Sequence, residues 1–354
     1  MGNYSIIDSF SGAGGLLLGM QDAGYTSVLS FDNDPVSVET QKINSKYFHH
    51  DVECQDVNEL IKTDFLAKVG LKRGDLFLLA GGPPCQGFSI QRIGRDKDDR
   101  NDLVKSYARL VEILYPKFFL IENVPGILGK RGKFLMEETI EQLSNIGYQI
   151  THKTIDAQNY GVPQRRRRVV FVGIRNDIGI MPFSFPKPSK IKSTVRDTIG
   201  HLPEPPLNGV DHPNFPQHRR DKLSKLNIQR LAALLPGQGR DHLPEQLLAT
   251  CHKISSTKIG HRNVYGRMAW NDVAPTITAR FDSFTRGLFG HPEQLRSISL
   301  REGALLQTFP SDFRFAGTKV QIARQIGNAV PPKLAYALGK AIISYYEDYA
   351  VKEA

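Results

Sequence analysis

Residues Tyr4-Ser5-Ile6-Ile7-Asp8-Ser9 form a short apolar run that breaks into Phe10-Ser11-Gly12-Ala13-Gly14-Gly15 and then into Leu16-Leu17-Leu18. This reads as strand, glycine turn and helix. Glycines in such a turn let a ligand approach the backbone closely. The rhythm continues downstream. Apolar runs at 4–7, 28–31, 75–80, 117–121 and 168–174 are short and bounded by turn or charged residues, as expected of strands covered on both faces. Helical patterns lie between them. In 103–115, for example, Leu103, Tyr107, Leu110, Val111 and Leu114 share one stripe. The alternation predicts an α/β, doubly wound parallel sheet whose ligands sit beyond the carboxyl ends of its strands.

The pattern changes near residue 185. Residues 186–290 hold 16 Lys and Arg against 8 Asp and Glu, so +8 of the chain's net +10 lies there, with 10 of the 21 prolines. A loop-rich, basic second domain is expected, and a polyanionic partner fits its charge. The expected organisation is a catalytic and cofactor-binding domain at 1–185 and 322–354, a second domain at 186–297 and a hinge segment at 298–321. The segment 332–349 returns to a helical pattern that should pack on the first domain. No apolar stretch approaches the ~18 residues of a membrane span, and no basic leader precedes the first strand. The three cysteines, Cys54, Cys85 and Cys251, lack metal-ligand spacing, and six histidines in the basic stretch lack suitable partners. A metal site and a disulfide scaffold are therefore not expected.

Chemistry concentrates at the predicted strand ends. The second strand delivers Asp32 seventeen residues after Gly15, close to the ~20-residue offset at which an acid meets a ribose hydroxyl. An adenosine-containing cofactor is implied, yet Leu17 stands where a dinucleotide turn needs its third glycine. The run at 75–80 leads into Gly81-Gly82-Pro83-Pro84-Cys85-Gln86-Gly87, so a thiol emerges where ligands should bind. Prolines stiffen the approach to Cys85, whereas Cys54 and Cys251 read as small buried hydrophobes. A nucleophilic thiol needs nearby positive charge or a hydrogen bond to ionise. The run at 117–121 ends at Glu122-Asn123-Val124, an acid suited to proton donation. In Gln164-Arg165-Arg166-Arg167-Arg168, strand alternation puts Arg166 and Arg168 on one face, opposite Arg165 and Arg167.

Taken in order, Phe10-Ser11-Gly12-Ala13-Gly14-Gly15, Pro83-Pro84-Cys85-Gln86, Glu122-Asn123-Val124, Gln164-x-Arg166-x-Arg168 and Gly327-Asn328-Ala329-Val330-Pro331-Pro332 resemble the cytosine-C5 DNA methyltransferases of bacterial restriction-modification type. Five elements in the family's order over 8–332 make chance an unlikely source. The resemblance implies a Rossmann-like domain dependent on S-adenosylmethionine, with a smaller target-recognition domain at 186–297. It implies that Phe10, Gly12, Ala13, Gly14, Gly15 and Leu16 hold the cofactor, that Asp32 binds the ribose, and that Asn33, Asp56 and Val57 lie at the adenine. Pro84, Leu103, Asn328 and Ala329 would complete that pocket. Cys85 would add to C6 of a flipped-out cytosine, Glu122 would hydrogen-bond N3 and the exocyclic amine, Arg168 would hold O2, and Arg166 would support the thiolate loop.

Base flipping leaves a gap in the duplex, and the segment around Ser89, Gln91 and Arg92 is expected to close over the DNA. Arg219, Arg220, Arg230, Arg240, Arg262, Arg267, Arg280 and Arg286 are further candidates for DNA contacts, Arg240 and Arg280 foremost. The implied partner is double-stranded DNA, with a cognate restriction endonuclease acting separately, and the implied setting is a cytoplasmic monomer. A tRNA cytosine-C5 methyltransferase of the same fold is the nearest alternative, but its Cys-Phe-Thr element is missing. A catalytically silent DNA-binding subunit should have lost the cysteine, glutamate or arginines. A nicotinamide dehydrogenase leaves Cys85 and Glu122 unused.

Overall fold

The computed structural model describes residues 4–84, 102–129, 132–250 and 264–350. The chain divides into two compact units. The first comprises Met1–Asp156, Arg167–Pro188 and Val330–Ala354, and the second Ala157–Arg166 and Ser189–Ala329.

The first unit is built on one seven-stranded sheet. Its strands are β1 (Ser5–Ser9), β2 (Thr26–Asp32), β3 (Asp51–Cys54), β4 (Leu78–Gly81), β5 (Phe118–Asn123), β6 (Tyr148–Asp156) and β7 (Arg167–Arg175), in the spatial order β3-β2-β1-β4-β5-β7-β6. From β3 to β5 neighbouring strands run parallel. The order reverses between β1 and β4, which opens a crevice at their carboxyl ends where open α/β sheets bind ligands. One feature departs from the expected parallel sheet: β7 runs antiparallel to both β5 and β6. The sequence between β6 and β7 carries only a single 3-10 turn, Ala157–Tyr160. Antiparallel neighbours need no helical crossover, whereas parallel ones do.

Burial explains which strands form the centre. Every residue of β1, β4 and β5 is buried, while the edge strands β3 and β6 are largely half-buried or exposed. The helix Asp102–Leu114 lays Val104, Tyr107, Ala108, Leu110, Val111 and Leu114 into the core with no exposed surface. The Tyr107 hydroxyl satisfies itself between the Leu79 and Leu120 carbonyls, at 2.9 and 3.0 Å, tying the helix to β4 and β5. The expected C-terminal helix spans Pro332–Tyr349 and packs against the helix Gly15–Ala23.

Among its described residues, the second unit has short helices at Val195–Ile199, Lys225–Ala232, Leu300–Leu306 and Lys319–Asn328, and only isolated β-bridges. Thr194, Ser299 and Thr318 begin three of these helices with reciprocal capping boxes, which replace the missing first-turn partners. Leu231, Leu234, Leu243 and Phe284 form a small apolar cluster. No helix among the described residues of the chain is long and apolar enough to cross a membrane.

Candidate active site and cofactor cradle

The glycine turn sits at the carboxyl end of β1. Phe10, Gly12 and Gly14 take φ values of 54°, 53° and 82°, a left-handed conformation that glycine adopts without steric cost. At Gly14 the requirement is also spatial, because a Cβ there would lie 2.4 Å from the Phe48 ring. A Cβ on Gly12 would meet nothing within 4 Å, so the turn presents open space at that residue.

Asp32, the last residue of β2, faces this turn. Its Oδ2 accepts from the Gly12 amide at 2.8 Å and its Oδ1 from the Asp34 amide at 2.9 Å. Burial raises its carboxyl pKa, and the Asp34 and Gly12 amides partly oppose that rise. Together with the Asn33 amide these contacts still leave the carboxylate a lone pair for a further donor. Register pairs Asp32 with Cys54 on β3, so exposed Asn33 and half-buried Asp56 follow adjacent strand ends. Asp56 caps the helix Val57–Leu60 through the Asn58 amide at 2.7 Å, and Val57 is buried in the core. Leu103 and Phe10 are half-buried against the same core. Asn328 and Ala329 belong to the second unit, where Asn328 is exposed at the end of its helix.

A second cluster forms at the ends of β4, β5 and β7. Glu122 Oε1 lies 2.9 Å from Arg168 Nε, both side chains being nearly buried. The approach is not aligned as a hydrogen bond, and among the described residues Oε1 has no hydrogen-bond donor. Such an oxygen is costly to bury and is open to a ligand's N–H. A Cβ on Gly82 would lie 3.6 Å from Glu122 Oε2, so the backbone leaving β4 passes beside the carboxylate. Asn123 fastens that backbone by donating to the Pro83 carbonyl at 2.9 Å. Pro84 follows, half-buried. Cys85, Ser89, Gln91 and Arg92 lie outside the described residues, as do Cys251 and Arg262.

The arginine run alternates as expected: Arg166 and Arg168 turn inward while Arg165 and Arg167 are exposed. Arg166 belongs to the second unit and is 1% exposed. Its guanidinium donates to the carbonyls of Ile277, Gly327 and Ala329 at 3.2, 3.1 and 2.9 Å. It therefore braces the backbone on both sides of Asn328. Gly327 has no room for a side chain, since a Cβ would sit 2.2 Å from the Thr278 carbonyl carbon.

Several sequence expectations need correction. Cys54 is exposed, because it ends the edge strand β3. Arg240 is only 3% exposed and is engaged by Asp241 at 3.1 Å, so it does not present a free cation. Arg230 and Arg267, 8% and 4% exposed, donate to backbone carbonyls of their own unit. Arg280 keeps an exposed side chain, with its Nε 3.1 Å from Asp282. One buried acid was not singled out from sequence. Asp8 in β1 is 1% exposed, and among the described residues neither oxygen has a well-formed hydrogen bond. Burial, then the charge of Asp32, pushes its carboxyl pKa well above the ordinary range. The only hint in the sequence was an acid inside an otherwise apolar strand.

The model of the C-5 cytosine-specific DNA methylase family matches residues 4–344. The chain belongs to that family. Similar curated proteins include the Type II methyltransferase M1.HphI of Haemophilus parahaemolyticus, 36% identical over 96% of this chain and 87% of its own length. The Type II methylase M.HgiDII of Herpetosiphon aurantiacus is 34% identical over 97% and 96%. Among solved structures, an E. coli prophage protein described as a DNA modification methyltransferase aligns with a TM-score of 0.74 and 28% identity, over 98% of this chain and all of that one. The S. pombe Dnmt2 methyltransferase, at 18% identity and a TM-score of 0.60 over 97% and 99%, shares the fold. C-5 cytosine-specific DNA methylases use S-adenosylmethionine as methyl donor. The cradle suits that molecule: an open glycine turn faces an acid with an unused lone pair, and a misaligned carboxylate–guanidinium pair stands at the neighbouring strand ends.

Proposed function

We propose that this methylase modifies cytosine within a specific duplex sequence through a covalent bond between Cys85 and C6. The observation carrying this reading is the Glu122–Arg168 pair, 2.9 Å apart, at the strand ends beside the backbone that runs through Pro84 into Cys85. Cytosine's polar rim offers N3, the exocyclic amine and O2 in a row. Glu122 binds N3 and the amine, and Arg168 holds O2. As the Cys85 thiolate adds to C6, Glu122 gives a proton to N3, which takes up the ring's negative charge and makes C5 nucleophilic. S-adenosylmethionine, when bound, supplies the electrophilic methyl group to C5. A base, with solvent sufficing, then takes the C5 proton, the released electron pair breaks the C6–S bond and expels the Cys85 thiolate, and N3 returns its proton to Glu122, restoring the aromatic ring and the enzyme.

C6 is inaccessible in a stacked duplex, so the base must be flipped out at a cost of roughly a few kcal/mol. Ser89, Gln91 and Arg92 are assigned to the segment that closes on the DNA, and Arg280 to a backbone phosphate. Phe10, Gly12 to Leu16 and Asp32 hold the methionine and ribose portions. Asn33, Asp56, Val57, Pro84, Leu103, Asn328 and Ala329 complete the adenine side. Residues 186–297 read the target. We assign to it duplex DNA as substrate, a restriction endonuclease acting separately as its counterpart, and a cytoplasmic, monomeric setting.

The test is transfer of labelled methyl from S-adenosylmethionine to duplex DNA. Cys85→Ser should abolish transfer while equilibrium dialysis still detects cofactor binding. A fully active serine variant would remove the covalent mechanism, and transfer to tRNA in place of DNA would redirect the substrate. Bisulfite sequencing of treated plasmid then identifies the methylated cytosine.

A further inference from the structure

We infer that Gln41, on the helix Pro35–Ile43, is the positioning residue that sets the cofactor turn, acting through a polar relay that runs from Gly12 and Ser11 through Gln41 and Ser30 to His50. The inference rests on the reading that this turn holds the cofactor. Gln41 has no exposed surface, and a primary amide is expensive to bury unless its donors and acceptor are used. Here they are. Nε2 donates to Gly12 O at 2.7 Å and to Ser11 Oγ at 2.8 Å, and Oε1 accepts from Ser30 Oγ at 2.8 Å.

Proton counting fixes every direction in the relay. Gln41 Oε1 has no proton to give, so the single Ser30 hydroxyl proton is spent on it. Ser30 Oγ, 2.9 Å from His50 Nε2, is left to accept. His50 therefore carries a hydrogen on Nε2, and its Nδ1 is buried and without a hydrogen bond among the described residues. Burial pushes the His50 pKa down to about 4, which keeps the ring neutral. Turning the Gln41 amide over would set Oε1 against the Gly12 carbonyl, so the relay admits one orientation.

The consequence falls on two turn residues. The Gly12 residue is clamped at both ends, its N–H by Asp32 and its carbonyl by Gln41. A glycine at φ 53° is otherwise free to leave that conformation. Ser11 accepts from Gln41, so its own hydroxyl proton remains available for a ligand. Gln41 touches the turn from behind and sets its shape.

Gln41→Leu and the near-isosteric Gln41→Glu should each raise the S-adenosylmethionine Kd and KM about tenfold or more, with kcat at saturating cofactor within about threefold and DNA affinity unchanged. Ser30→Ala, which removes one link, should raise Kd by only about threefold. Asp32→Ala, which removes the proposed ribose acid, is measured beside them. If Asp32→Ala loses cofactor affinity while both Gln41 variants stay within about twofold of the parent, the positioning role is wrong and the cofactor reading stands. If Asp32→Ala also binds normally, the cofactor reading itself fails. Should Gln41→Leu not fold, Gln41→Glu and Ser30→Ala decide the matter. A uniform loss of Tm and kcat without any change in cofactor Kd would overturn the inference.

Discussion

The carboxyl edge of the sheet and the basic second unit are both rich in charged side chains, but they spend them differently. At the sheet edge, Asp32, Glu122 and Arg168 retain unused lone pairs or misaligned partners. In the second unit Arg166, Arg230, Arg240, Arg267, Arg296 and Arg301 are turned inward. Arg301, wholly buried, donates to the carbonyls of Pro216, Pro310 and Phe313, and Arg267 to those of Leu231, His291 and Pro292. A loop-rich unit whose described residues form no sheet has many carbonyls and no ladder to satisfy them. One guanidinium offers five donors in a rigid fork, so arginine serves there as an internal cross-link. A net charge counted from sequence therefore overstates the charge that faces a partner.

The sharpest break between the two regions is expected from matched substitutions. Glu122→Gln should lower kcat by ~10²–10⁴, with cofactor binding and Tm nearly unchanged, because that carboxylate supports chemistry and little packing. Arg267→Ala or Arg301→Ala should do the reverse. Removing the fork orphans three carbonyls in each case, and a loss on the order of 3 kcal/mol is expected in denaturant unfolding of the second unit. If Arg301→Ala left stability intact and only weakened DNA binding, the cross-linking account of these arginines would fail.

Acid separates buried from exposed charge in the second unit. Glu302 is held at about 2, where burial opposes the deeper stabilisation from its hydrogen bonds and charge pairing with Arg296. A depressed carboxyl contributes stability above its unfolded value of 4.5, and that contribution is lost as pH falls toward 2. His291, 4% exposed, is pushed down to about 4, chiefly by burial. Its folded value lies below the unfolded 6.5, so its contribution is complete above pH 6.5 and drains away as pH falls to 4. That loss is on the order of 3 kcal/mol at most. Thermal unfolding followed from pH 7 to pH 4 should therefore show a declining Tm, and His291→Gln should flatten the decline. An unchanged slope would mean that another group titrates there.

The legible part of the molecule is the part governed by period and burial. β1, β4 and β5 stood out because each is an apolar run buried on both faces. The Asp51–Cys54 and Tyr148–Asp156 edges lacked such runs, and an apolar run carries no direction, so the reversal of β7 could not be read. Glu122 and the Arg166/Arg168 face were legible because strand ends and alternation are local rules. The Gln41 relay was not, since a glutamine on a helix gains its partners only when two strands and a turn pack around it. Cys54 was misjudged for the same reason: whether a short strand lies inside a sheet or at its edge is a tertiary fact.

The smallest expected effect sharpens the comparison furthest. Arg280 is 44% exposed at its side chain and among the described residues holds Asp282 through Nε, leaving its terminal nitrogens for a phosphate. Arg280→Ala should leave Tm nearly unchanged, weaken DNA binding by less than about 1 kcal/mol, and reduce the slope of log K against log salt by about one phosphate's worth. Arg240→Ala, by contrast, should leave that slope alone because its guanidinium is buried against Asp241. Equal slopes for the parent and Arg280→Ala would mean that exposure is a poor guide to DNA contact in this unit. A reduced slope for Arg240→Ala would mean that the buried arginine swings out when DNA binds, and that the second unit rearranges around its target.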